Sequence, residues 1–171
     1  MQQMKYATRA AKAETKALHD RAVDEIVRWL HQTRGIITSR VAAQQEQFGD
    51  FWYQIHPNEQ PTYVLIKAEE ENKYGNFFFE MWRHKANNEP GWLPKSADCV
   101  ATYLGYYFYR NKELYMMKLQ DLRLWALAFG NIEKFPEKEQ FKRIQENDAW
   151  GRVVPIQVIM QAIKCHRYEI K

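Results

Sequence analysis

One stretch limits what this chain can fold into: residues 50–80, DFWYQIHPNEQPTYVLIKAEEENKYGNFFFE. Runs 51–55, 62–69 and 77–83 are rich in aromatic and β-branched residues, the composition of strands. His56-Pro57-Asn58 and Gln60-Pro61 break the chain after the first run, and Asn72-Lys73-Tyr74-Gly75-Asn76 breaks it after the second. Strands so closely spaced demand a sheet. The second break has the chemistry of a hairpin turn. Closed symmetrically, that hairpin sets Lys67 opposite Glu80 or Met81. Side chains alternate along a strand, so Leu65, Lys67 and Glu69 share one face. Asp50 opens the first run, Lys67 lies in the second and Glu80 in the third. Acids beside a lysine on adjacent strands can gather a divalent metal, a water and a phosphate. The same residues also suit an ordinary sheet. Lys67 then snorkels from an apolar strand, and Glu80 pairs with it or with Arg83.

The rest of the chain supplies helices around that sheet. Residues 4–34 are rich in alanine, run free of Gly and Pro, and predict a helix closed by Gly35. Leu18, Ala22, Ile26, Trp29 and Leu30 recur at helical spacing and form its buried stripe. Lys5, Arg9, Lys12 and Lys16 make a basic ridge, either a solvated face or a contact with a phosphate backbone. Residues 36–38 favour a strand and 41–47 a short helix, while Gly49 loosens the backbone before Asp50. Ser96 suits the N-cap of a helix to about residue 109, with Ala97, Val100, Ala101, Leu104 and Phe108 at a 3.6-residue period. Tyr103, Tyr106, Tyr107 and Tyr109 would cluster on it, as packing or as a base-stacking platform. Beyond a turn at 110–112, the pattern predicts a strand over 114–119 and a helix over 121–129. A partly helical 137–148, an extended 150–155 and a last helix over 156–165 follow.

Composition removes several function classes. A chain of 171 residues suits a single domain: a helix over 1–35, a core over 49–125 and a helical and extended segment over 131–171. With 46% hydrophobic and 15% aromatic residues it is not a disordered chain. A net charge of +4 permits a polyanionic partner without demanding one. Cys99 and Cys165 are too far apart for a paired motif, so neither a disulfide framework nor a thiolate zinc site is expected. MQQMKYATRAAK lacks the apolar segment of a secretory signal, and no apolar run is long enough for a membrane helix. A cytoplasmic protein that does not enter membranes is expected. No phosphate-binding glycine loop, dinucleotide fingerprint or metal-type histidine spacing occurs.

The order helix, three strands, helix, strand, helix, with an acid on the first strand and a lysine on the next, resembles the PD-(D/E)XK, restriction-endonuclease-like nuclease superfamily. The likeness is to its small phage and plasmid members. It rests on Asp50, Lys67, Gly75-Asn76-Phe77-Phe78-Phe79-Glu80, Gly91-Trp92 and Ser96-Ala97-Asp98, and covers residues 49–125. The resemblance implies an α/β (α+β) fold: a restriction-endonuclease-like core in αβββαβ order, its mixed central sheet flanked by helices. It implies a metal-dependent DNA endonuclease of host-cell cytoplasm, acting as a homodimer where both strands are cut. Asp50, Lys67 and Glu80 would be catalytic. Asp50, Glu80 and Glu69 would hold Mg2+ or Mn2+, and Lys67 would position the attacking water. Lys5, Arg9, Lys12, Lys16, Arg83, Lys85 and Lys95 are the candidate nucleic-acid contacts. One departure stands out. The family places an acid two residues before the lysine, where this chain has Leu65, which cannot ligate Mg2+. Either Glu80 or Glu69 takes over, or the protein is a catalytically inactive nuclease fold that binds DNA or a protein partner.

Overall fold

The computed structural model describes residues 2–42, 47–140 and 149–171, with side chains from residue 13 onward. Helix α1 (Gln2–Arg34) opens the chain. Strands β1 (Ile37–Arg40), β2 (Phe51–Gln54) and β3 (Thr62–Glu69) follow, then β4 (Asn76–His84), the two-residue β5 (Glu89–Pro90) and a single helical turn, α2 (Trp92–Lys95). Next come β6 (Tyr103–Phe108), β7 (Glu113–Lys118) and α3 (Leu119–Arg123), which widens into a π-turn over Leu124–Ala128. β8 (Glu137–Glu139), β9 (Trp150–Pro155), α4 (Ile156–Ala162) and β10 (Cys165–Glu169) complete the order. The fold is mixed α and β.

Two sheets are built from these strands. The larger has the order β1-β2-β3-β6-β7-β10, and the smaller β5-β4-β9-β8. Among the described residues only the β3–β6 pairing is parallel; the other ladders are antiparallel. A parallel pair needs a long crossover, and here the crossover contains β4, β5 and α2. One face of the large sheet takes α1: Ala22, Val23, Ile26 and Trp29 pack on Phe51, Val64, Ile66, Tyr107 and Leu114. Its other face takes the small sheet: Phe77, Phe79 and Val154 pack on Leu104, Tyr106, Phe108, Tyr115 and Met117. The large sheet is thus the middle of three layers.

The strand over 62–69 and the extended piece over 150–155 are found as read. The expected stripe on the first helix holds for Ala22, Ile26 and Trp29, which are buried, and in part for Leu30, while Leu18 lies outside the core. Four expectations need correction. First, the hairpin between the second and third runs does not form. Its turn does, with the Gly75 amide donating to Asn72 Oδ1 at 2.8 Å. But β2 and β6 occupy both edges of β3, so β4 joins the other sheet. The run of three strands is therefore no meander within one central sheet. Second, the helix from Ser96 does not form. Ser96 Oγ instead donates to Leu93 O at 2.6 Å, and residues 103–108 are a strand. Five of the six residues of β6 are buried, because it lies mid-sheet between two layers. A strand buried on both faces loses its alternation, which left a spurious helical period. Its tyrosines therefore split: Tyr106 faces the small sheet and Tyr107 faces α1. Third, Glu137–Glu139 pairs with β9 as a strand rather than a helix. Fourth, the last helix stops at Ala162, and Cys165 opens β10 on β7. Residues 43–46 of the expected short helix and residues 141–148 lie outside the described residues.

Candidate functional site

Asp50 is placed by backbone. Its amide donates to Val64 O at 2.8 Å, and its Oδ2 accepts from the Ile66 amide at 2.6 Å. The carboxylate thus extends the ladder on β3 just before β2 begins, one residue short of Lys67. Gly49, with φ +100, lets the chain approach so closely: a Cβ there would lie 2.6 Å from Val64 O. Asp50 Oδ1 meets His19 Nε2 of α1 at 2.8 Å.

Lys67 points from β3 toward the small sheet, with Leu65 and Tyr63 beside it on the core. Its ammonium lies 5.1 Å from the centre of the Trp92 ring. Burial pulls its pKa below 10.5, against the attraction of Glu80, Asp50 and Glu69, in that order. Among the described residues it makes no ion pair with any of the three. Glu80 follows from β4, at a bulge where the register with β9 shifts. Its Oε1 accepts from the Trp92 amide at 3.2 Å. Gly91 makes that contact possible, since a Cβ would lie 2.5 Å from Glu80 O.

Glu69 is held differently. The Tyr106 hydroxyl donates to its Oε1 and accepts from the Phe78 amide at 3.0 Å, joining the two sheets. Burial lifts the Glu69 pKa above 4.5, against that hydrogen bond and the Lys67 charge. A carboxyl so engaged is a poor metal ligand. Lys67, Glu80 and Glu69 therefore border one junction between the sheets, and Asp50 lies beside it at the start of β2, its charge felt by Lys67 and its carboxylate tied to α1 through His19. Among the described residues no group of three or more His, Cys, Asp or Glu is placed to hold a metal ion.

The cationic candidates are scattered. Arg83 and Lys95 both approach Glu89, at 3.8 and 3.2 Å, and Lys85 pairs with Glu137 at 2.5 Å over the Trp150 ring. Arg83 is therefore not the partner of Glu80, although its charge opposes that of Lys67. Lys16 is exposed on α1, while the side chains of Lys5, Arg9 and Lys12 lie outside the described residues.

The sequence reading missed His19 at this site, although it lies three and four residues from the buried Ala22 and Val23, on the helix side facing the sheet. Trp92 entered that reading only within the Gly91-Trp92 match and Tyr106 only within a tyrosine cluster; their contacts had no signal, since they cross between the sheets. Among the described residues, no helix is long and apolar enough to cross a membrane. No protein-family model matches the chain, and no curated protein proves significantly similar to it.

Proposed function

We propose that the protein is a metal-dependent DNA endonuclease of restriction-endonuclease-like fold, hydrolysing phosphodiester bonds at the junction of Asp50, Lys67 and Glu80. The observation that carries this reading is Lys67, a desolvated cation attracted by three carboxylates without pairing to any. With no carboxylate paired to it, its ammonium is open to an anionic ligand, and a phosphate is the anion that fits beside acids able to hold a cation. Oxygen donors suit Mg2+ or Mn2+, and Mg2+ is commonly held by one or two carboxylates, with water and phosphate completing its shell. Asp50 and Glu80 would be those two, each oxygen retaining a lone pair beyond its present hydrogen bond. Bound there, the metal would supply Lewis-acid activation of the phosphate and a nucleophile at neutral pH. Lys67 would offset the charge that develops on the phosphorane oxygens and orient the water. His19 and the Ile66 amide fix Asp50, and the Trp92 amide fixes Glu80. A homodimer would let two such sites cut both strands.

A specific observation also favours a second reading, a nuclease fold that binds DNA or a protein without cutting. Leu65 packs on the core where the family has an acid, and the described carboxylates form no close triad. One experiment separates the two. Supercoiled, linear and single-stranded DNA are incubated with the protein in Mg2+ or Mn2+, with EDTA, and with Asp50→Asn and Lys67→Ala. The hydrolase reading expects cleavage that EDTA and both substitutions abolish. Tight, EDTA-insensitive DNA binding with no cleavage in either metal would overturn it in favour of the second.

A further inference from the structure

Lys67 and Glu80 come from strands in different sheets, so no ladder hydrogen bond fixes one against the other. A lysine head also rides on a flexible four-carbon stem, and needs something to hold it. One residue touches both. Trp92 lies on the crossover just after Gly91. Its amide donates to Glu80 Oε1 at 3.2 Å, and its ring faces Lys67 Nζ at 5.1 Å. The ring is itself fixed: it meets Phe79 edge-on at 5.9 Å and packs against the core between the sheets. Gly91 carries no side chain that would push this segment off Glu80.

We propose that Trp92 is a positioning residue for the site, its indole face holding the Lys67 ammonium while its main-chain amide holds Glu80. Trp offers a cation the strongest of the aromatic faces. Its two contacts are separable by mutation. Every residue but proline keeps the main-chain amide, so a side-chain substitution at position 92 releases Lys67 and leaves Glu80 held. The kinetic consequence rests on the hydrolase reading; the clamp itself does not.

The test uses Trp92→Leu and Trp92→Phe in the full chain, with Trp92→Met as a second aliphatic variant should Leu fail to fold. The first readout needs neither metal nor DNA. Acetic anhydride acetylates lysines, and mass spectrometry gives the rate at Lys67 relative to the exposed Lys16 of the same molecule. Lys67 should react slowly in the wild type and in Trp92→Phe, and about tenfold faster in the aliphatic variants. The second readout is Mn2+ affinity by calorimetry, which should stay within about twofold in all variants, because the Glu80 hydrogen bond persists. The third is cleavage. Misplacing a catalytic group by about an ångström costs up to about a hundredfold, so kcat should fall about ten- to hundredfold in the aliphatic variants and recover in Trp92→Phe. Equal Lys67 labelling in wild type and aliphatic variants would overturn the clamp, as would labelling raised as much by Phe as by Leu. Failure of the hydrolase reading looks different: labelling follows the ring while the wild type cuts no DNA in either metal.

Discussion

β3 and β4 follow one another in sequence, yet the two halves of the site they carry are built in different ways. Asp50 and Lys67 belong to the large sheet. Their frame is a strand laddered on both edges, with one carboxylate oxygen taken up by a β3 amide. Glu80 belongs to the small sheet, at a bulge, and is held by one amide from the crossover. Both strands are laddered on both edges; the halves differ in that Glu80 sits at a register shift and meets Lys67 only through the packing of the two sheets.

The largest effect expected is at the boundary itself. Lys67→Met should lower DNA cleavage by about a hundred- to a thousandfold, the scale of losing one preorganised charge donor. It should not lower thermal stability, because burial penalises the ammonium and no carboxylate pairs with it. A melting curve and a cleavage assay on the same preparation check both. A large fall in stability would make Lys67 a structural ion-pair residue instead.

The two supporting glycines compare the halves directly. Gly91→Ala introduces a Cβ 2.5 Å from Glu80 O at an extended φ of -75, and should cost about 1–3 kcal/mol as overpacking. Gly49→Ala meets Val64 O at 2.6 Å and also holds φ +100, so a further cost of about 1–3 kcal/mol is expected there. Urea unfolding of both variants should rank Gly49→Ala as the less stable. The reverse order would mean that the large-sheet half is the softer one.

Glu69 gives a smaller, pH-dependent effect. Its folded pKa is raised above 4.5, first by burial. The native state therefore keeps this proton to higher pH than the unfolded chain does. Its contribution to stability is complete below 4.5 and declines as pH rises through the folded value. Glu69→Gln lacks that decline, so the stability of the variant relative to wild type should grow with pH above 4.5 and then level off. A difference that stays constant across this window would show that Tyr106 and Lys67 already compensate the burial.

The smallest effect is expected on the first helix. Lys12→Ala with Lys16→Ala should lower the slope of log K for DNA against log salt by about one for each side chain that meets a phosphate. Exposed charges contribute little to folding, so the melting temperature should hardly move. Identical slopes for both proteins would shift the DNA surface to Arg83, Lys85 and Lys95, on the small-sheet side.

Much of this was written locally. The turn chemistry around Asn72 and Gly75, the period of Ala22, Ile26 and Trp29, and the strand over Thr62–Glu69 are short-range signals, and each appears as read. The order of Asp50, Lys67 and Glu80 along the chain was legible too, as was the absence of an acid at Leu65. Partner choice was not. Whether β4 pairs with β3 or leaves for a second sheet depends on β6, which takes the β3 edge from 39 residues further on in the ladder Val64↔Tyr103 to Glu69↔Phe108. Burial from both sides erased the alternation that would have marked β6 as a strand. The contacts of Trp92, Tyr106 and His19 likewise exist only because separate layers pack together. Sequence by itself determined the turn at Asn72 to Gly75, the helix through Ala22, Ile26 and Trp29 and the strand Thr62–Glu69, because those preferences act over a few residues. Tertiary structure alone decided which strands share a sheet and which side chains meet at the junction, because burial and hydrogen-bond pairing are settled between segments distant in the chain.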